Sequence, residues 1–215
     1  MQGNAARFCL IVALACTLGV VAWAADRVSF DSSMSIVAGA GNLPSHWLVT
    51  AFTVGVIAKS RPAGTLAATL ALCLAVVVYY AAISWAGDRP GVDLQRPALV
   101  WSAVALVAGP MFGLAGAVWL IGPSRLKPWA VALLCGGFFG EAFFILWRMQ
   151  MLDLSEPAVL FASMELLLAT LLPTVMLRDL RGRATSLSFG LVFGLVAWGA
   201  IEGVRRLVDD VLRPY

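Results

Sequence analysis

WAVALLCGGFFGEAFFILW (129–147) and PAVLFASMELLLATLLPTVML (157–177) are two apolar runs of membrane-spanning length, separated by the more polar RMQMLDLSE (148–156). Each run carries one acid in its interior, Glu141 in the first and Glu165 in the second. A span needs about 20 apolar residues to cross a hydrocarbon core of about 30 Å, so the pair reads as a transmembrane helical hairpin. A carboxylate in hydrocarbon is too costly to stay there without a partner or a task. The runs therefore set the fold class, and the search for a site starts from their glutamates.

Outward from this hairpin the same pattern repeats. Apolar segments at 8–25, 47–58, 63–86, 98–121 and 187–208 raise the number to seven, of which six are long enough to span. The expected fold is all-α, a polytopic transmembrane bundle of six to seven spans forming a single integral membrane domain over residues 1–215. The segment at 47–58 is short. The stretch before it is broken by Gly39, Gly41, Asn42 and Pro44, which is the pattern of a broken or re-entrant segment entering a tilted span. The composition, 61% hydrophobic and 13% charged, lies outside the range of soluble domains.

The net charge of +3 is spread over short connections and is not gathered in a patch, so it is a topology signal and speaks against nucleic-acid binding. One set of connections carries Arg7, Lys59, Arg61, Arg125, Lys127, Arg178, Arg181 and Arg183, with only Asp179 against them. The other set carries Arg27, Arg89, Arg96 and Arg148 and, at the C-terminal end, Arg205, Arg206 and Arg213, diluted by Asp26, Asp31, Asp88, Asp93, Asp153, Glu156, Asp209 and Asp210. The positive-inside rule places the first set and the N-terminus in the cytoplasm and the C-terminus outside. Arg outnumbers Lys 13 to 2, a bias of GC-rich bacterial genomes, so the expected location is a bacterial inner (plasma) membrane. The first segment has a second reading, because Arg7, an apolar run and Ala22-Trp23-Ala24 also describe a cleavable secretory signal.

Helical rise puts Glu141 about 18 Å from the inner end of its span and Glu165 about 12 Å from the outer end of the next, which is one level in a core of about 30 Å. Two carboxylates sharing such a site cannot both stay ionised cheaply, which suits a cation or a shared proton. The bland alternative is interhelical hydrogen bonding. Residues 42–47 add His46 and Asn42 at the outer level, and Tyr79 and Tyr80 reach a similar level on the third span. A pocket roofed by 42–47 and floored by Glu141 and Glu165 is the expected ligand or proton site, with Gly137 and Gly140 leaving open space beside Glu141. His46, Trp47 and the tyrosines also fit the role of interfacial anchors. Glu202 and Arg206, four apart, read as a structural ion pair.

Small residues recur four apart at Gly109 and Gly113, Gly136 and Gly140, Gly190 and Gly194, and Gly199 and Gly203. They allow close helix packing, within the bundle or against a membrane-protein partner or a second copy of the chain. One histidine and four scattered cysteines, Cys9, Cys16, Cys73 and Cys135, supply no zinc or haem ligand set, so no metal and no cofactor is expected. No catalytic template finds its residues, and an enzyme is the minority reading.

The strings AGNLPSHWLVTAFTVG (40–55), Tyr79-Tyr80 and GPMFGLAG (109–116) resemble a family of small actinobacterial integral membrane proteins of unknown function. The likeness runs from about residue 37 to 165 and includes Glu141. It implies a membrane bundle and a taxon, and no activity. A more distant similarity is to the substrate-capturing subunits of energy-coupling-factor transporters, with Ala15 and Gly19 standing nearest to their A-x-x-x-A pair. The leading expectation is a small-solute or ion carrier, or a binding subunit, with an outward-facing acidic site. The alternative is a scaffold or interaction subunit of a membrane complex.

Overall fold

The computed structural model describes residues 2–28, 43–87, 94–152 and 156–212. Among these it contains seven α-helices and no strand: α1 (Gln2–Val28), α2 (Pro44–Ala58), α3 (Arg61–Ala86), α4 (Gln95–Ile121), α5 (Lys127–Leu152), α6 (Glu156–Met176) and α7 (Leu180–Leu212). Six of them are long and apolar enough to cross a membrane, and α2, at 15 residues, is the shorter one. Leu66 and Leu70 on α3, Leu106 and Val107 on α4, and Leu195 and Val196 on α7 are all more than half exposed. Apolar surface on that scale requires lipid around it. The protein is a multi-pass, all-α membrane protein. The broken segment expected ahead of Pro44, with Asn42 in it, lies outside the described residues.

The described chain forms two compact units, Met1–Ala117 with Arg206–Tyr215, and Val118–Arg205. In the first, α1 packs on α3 and α2, and α2 packs on α3. The α2–α3 reversal takes two residues. Lys59 adopts the left-handed conformation (φ 54°) and ends α2, and the Ser60 side chain then accepts a 3.2 Å hydrogen bond from the Ala63 N–H to cap α3. So tight a turn makes the two helices antiparallel neighbours. Near it, glycines let backbones meet: a Cβ on Gly55 would stand 2.0 Å from the Gly113 carbonyl oxygen, and one on Gly116 would stand 1.9 Å from that of Phe52. No larger residue fits there, so α2 and α4 close together at this end.

In the second unit α5 packs on α6, with residues 153–155 between the two helices. Gly136 and Gly140 of α5 meet Phe193, Ala197 and the Trp198 amide nitrogen of α7, while Gly190 and Gly194 of α7 meet Cys135 and Phe139. Three of the four glycine pairs noted in the sequence are thus internal packing. Gly199 and Gly203 have nothing within 4 Å. The basic end of α7 is tied down locally. The Asp179 carboxylate caps it by accepting from the Gly182 N–H at 2.6 Å, Arg183 Nε donates to the Leu177 carbonyl, and Ser186 Oγ donates to the Pro128 carbonyl at the start of α5.

Candidate functional site

The end of the first unit away from the Lys59–Ser60 turn is where α1 and α3 finish and α2 and α4 begin. Large residues gather there instead of glycines: Trp47 on α2, Tyr79 and Tyr80 on α3, and Trp101 on α4. They line a cavity of about 250 Å³ together with Asp26 of α1. Its floor is apolar and buried, built from Leu72, Val76 and Ala105, each 3% exposed or less. The aromatic residues and Asp26 are half-buried to exposed and form its upper wall. By helical rise, Tyr79 lies about 10 Å and Leu72 about 21 Å from the end of α3, so the cavity runs from the helix ends toward mid-membrane depth.

Among the described residues a polar pair spans this cavity. The Tyr79 hydroxyl donates to Asp26 Oδ2, joining α1 to α3 across the upper wall. The Tyr80 ring stands edge-on to that of Tyr79 with centroids 4.9 Å apart, which holds both phenols in place. Arg27, next along α1, lies with its guanidinium 5.6 Å from the Trp23 ring and is not among the lining residues. Among the described residues no group of three or more His, Cys, Asp or Glu side chains gathers as a metal set.

A family model described as a family of unknown function, DUF6518, matches residues 1–207. The chain belongs to DUF6518. No curated protein and no solved structure matches it. The match covers the cavity and both interior glutamates of this DUF6518 member.

Of the residues singled out in the sequence, Tyr79 and Tyr80 line the cavity. Glu141 and Glu165 do not. They belong to the second unit, on the adjoining helices α5 and α6, and each is only 2% exposed. Measured from the helix ends flanking 153–155, Glu141 is about 16 Å in and Glu165 about 14 Å, so they stand within about half a turn of one level. The open space expected beside Glu141 is absent at Gly140, because α7 fills it to within 3.0 Å of where a Cβ would be. The cavity within the first unit has an acid on α1, Asp26, beside the two tyrosines. His46 is exposed, is not a lining residue, and its carbonyl accepts from Thr50 Oγ1.

In the sequence Asp26 follows the apolar run and reads as a loop charge. A signal was present. Ala15, Leu18, Ala22 and Ala25 recur three and four apart and are the buried stripe of α1, and Asp26, four residues after Ala22, lies beside the end of that stripe. Trp47 and Trp101 read as interfacial anchors, and the cavity shows what else such a ring can face. Ala15 and Gly19 are buried, with a Cβ on Gly19 standing 2.6 Å from the Ala75 carbonyl oxygen, so this small pair is a contact within the first unit. Glu202 is half-buried and Arg206 exposed, while Arg205 lies 5.6 Å from the Phe144 ring.

Proposed function

We propose that this protein is a membrane-embedded binding subunit or carrier for a small solute, which it takes up in the cavity among α1, α2, α3 and α4. The observation that carries the reading is the Asp26–Tyr79 pair set over an apolar floor, since few convergent polar groups on an apolar wall are the mark of a ligand pocket. In this reading the chain sits in a bacterial inner membrane with its N-terminus in the cytoplasm and its C-terminus outside. The turn at Lys59 and the basic connections at Arg125 and Arg178 support that threading, and the cavity then faces outward. A cysteine introduced at Ser60 or Ser124 should escape an impermeant thiol reagent applied to intact cells. Labelling there would invert the threading.

Within the same proposal Glu141 and Glu165 act as a lock between α5 and α6, not as a ligand site, because they lie at matched depth in a region packed closed by glycine contacts. Glu202 and Arg206 remain a structural pair along α7. The scaffold alternative retains one specific support, the open Gly199 and Gly203 surface on α7.

The deciding experiment is a thermal-shift screen of the purified protein against amines, inorganic cations, amino acids and vitamins, run beside Ala105→Phe, whose ring would fill the cavity. A compound that raises the unfolding temperature of the unaltered protein but not of Ala105→Phe is the expected result. Hits that act equally on both proteins, or no hit at all, would sink the cavity reading.

A further inference from the structure

The α4–α5 and α6–α7 connections, 122–126 and 177–179, meet at one end of the second unit. Two hydrogen bonds pin them together: Trp119 Nε1 donates to the Met176 carbonyl at 3.3 Å, and Ser186 Oγ donates to the Pro128 carbonyl at 2.7 Å. The Trp129 ring also packs on that of Phe189, with centroids 4.0 Å apart. Five basic residues are thereby gathered at this end, Arg125 and Lys127 around the first connection and Arg178, Arg181 and Arg183 around the second. We infer that they form a binding site for an anionic phospholipid, with its phosphate on the arginines and its acyl chains on the apolar residues beside them.

Charge sets the sign of the partner. Through 118–140 and 166–201, every residue of which is described, the only acid is Asp179. Its carboxylate already accepts from the Gly182 N–H at 2.6 Å. The next acids along these helices, Glu141, Glu165 and Glu202, lie about 16 Å or more from the ends that meet here, too far for an ion pair. Arg183 is oriented as well as charged. Its Nε donates to the Leu177 carbonyl at 2.9 Å, and a guanidinium anchored in this way keeps the N–H groups of its two terminal nitrogens for a phosphate. Arg125, Arg178 and Arg181 are exposed.

The apolar surroundings select a lipid over a soluble anion. Val175 and Leu180, on either side of Arg178, are 82% and 79% exposed, and the Trp129 indole is 42% exposed beside Lys127. Arginines and bare apolar side chains within one turn of each other match the level at which a phospholipid passes from headgroup to acyl chain, where tryptophan also gathers. A cluster of about four to eight basic residues at the end of membrane helices is the pattern that holds anionic headgroups. The site is independent of the cavity in the first unit and of the leaflet it faces.

The test is native mass spectrometry of the full-length protein in detergent, titrated with dioleoylphosphatidylglycerol and with dioleoylphosphatidylcholine, which share their acyl chains and differ in net charge. The anionic lipid should bind at least about tenfold more tightly. Arg178→Gln combined with Arg181→Gln should remove most of that preference. Arg7→Gln combined with Arg61→Gln, the same loss of charge in the first unit, should leave it within about twofold. Glycerol phosphate, the anion without chains, should not displace the lipid even at about a hundredfold excess, because the chains supply the rest of the binding. Equal affinities for the two lipids, a preference that survives the Arg178–Arg181 change, an equal loss in the Arg7–Arg61 variant, or displacement by glycerol phosphate would each overturn the inference. The first and last of these need no variant, so they decide the matter even where a variant fails to fold.

Discussion

The two compact units use the same small residues to opposite ends. In the first, four glycines, Gly55, Gly64, Gly113 and Gly116, sit together near the Lys59–Ser60 turn, while tryptophan and tyrosine occupy the far ends of the same helices. Helices that meet backbone to backbone at one end and are separated by rings at the other leave a cavity between the rings. In the second, Gly136, Gly140, Gly190 and Gly194 lie in the middle of α5 and α7, at the depth of Glu141. The span at Ser124–Arg148 is accordingly the most buried of the six, at 67% against 17–39% for the others. The lesson is that an acid in a membrane helix becomes accessible or locked according to where the small residues are placed along its neighbours, not according to how apolar its own run is.

The sharpest way to break this comparison is to remove a closure. Gly116→Ala puts a methyl group 1.9 Å from a backbone oxygen that has no flexible side chain to yield, and it should cost about 3 kcal/mol, the upper part of the usual overpacking range. Gly199→Ala, which meets nothing within 4 Å, should be neutral or stabilising by up to about 1 kcal/mol through helix propensity. Unfolding in mixed detergent measures both. Equal effects at the two positions would mean that glycine contacts do not shape the first unit.

Next in size is the proposed lock between α5 and α6. Glu141→Ala and Glu165→Ala should each cost about 1–3 kcal/mol by leaving a buried polar partner unmatched, while the Gln variants, which keep a hydrogen-bonding group, should stay within about 1 kcal/mol. If the carboxylates touch, the two Ala changes together will cost less than their sum, since coupled residues break additivity. Strict additivity would show that the two acids serve different neighbours. A Gln variant that abolished ligand response in a well-folded protein would return the glutamates to the binding site.

A smaller effect is expected at the cavity. Tyr79→Phe keeps the ring and removes the donor to Asp26, so it should lower stability by about 0.5–1.5 kcal/mol, the net worth of one hydrogen bond. It should also weaken ligand binding. The smallest effect belongs to Glu202→Gln, whose proposed pair with Arg206 would be worth under about 1 kcal/mol near an interface. Ligand binding should not change. A loss of binding there would join the end of α7 to the site.

Much of the fold was legible because membrane insertion imposes a strong and local rule: every span must carry its own run of apolar residues and satisfy its own backbone. The runs around Glu141 and Glu165, the shortness of the segment at 47–58 and the basic turn at Lys59 are all readable in this way. The site was legible only in part. Tyr79 and Tyr80 were reachable because their depth follows from counting residues along a helix, and depth is a one-dimensional quantity. Asp26 is not legible in the same way, because depth says nothing about which helices are neighbours.

Residue order alone settled that this is an all-helical, multi-pass membrane protein, where its spans fall, and at what depth each polar group lies, because these follow from hydrophobic length and a rise of about 1.5 Å per residue. Which polar groups share a space was decided only in three dimensions. The Asp26–Tyr79 contact joins residues 53 positions apart, and it exists because the buried stripe of α1 turns toward α3 and wide rings keep that end of the first unit open. Glu141 has the same depth advantage and no such opening at Gly140, because there a glycine lets α7 close in.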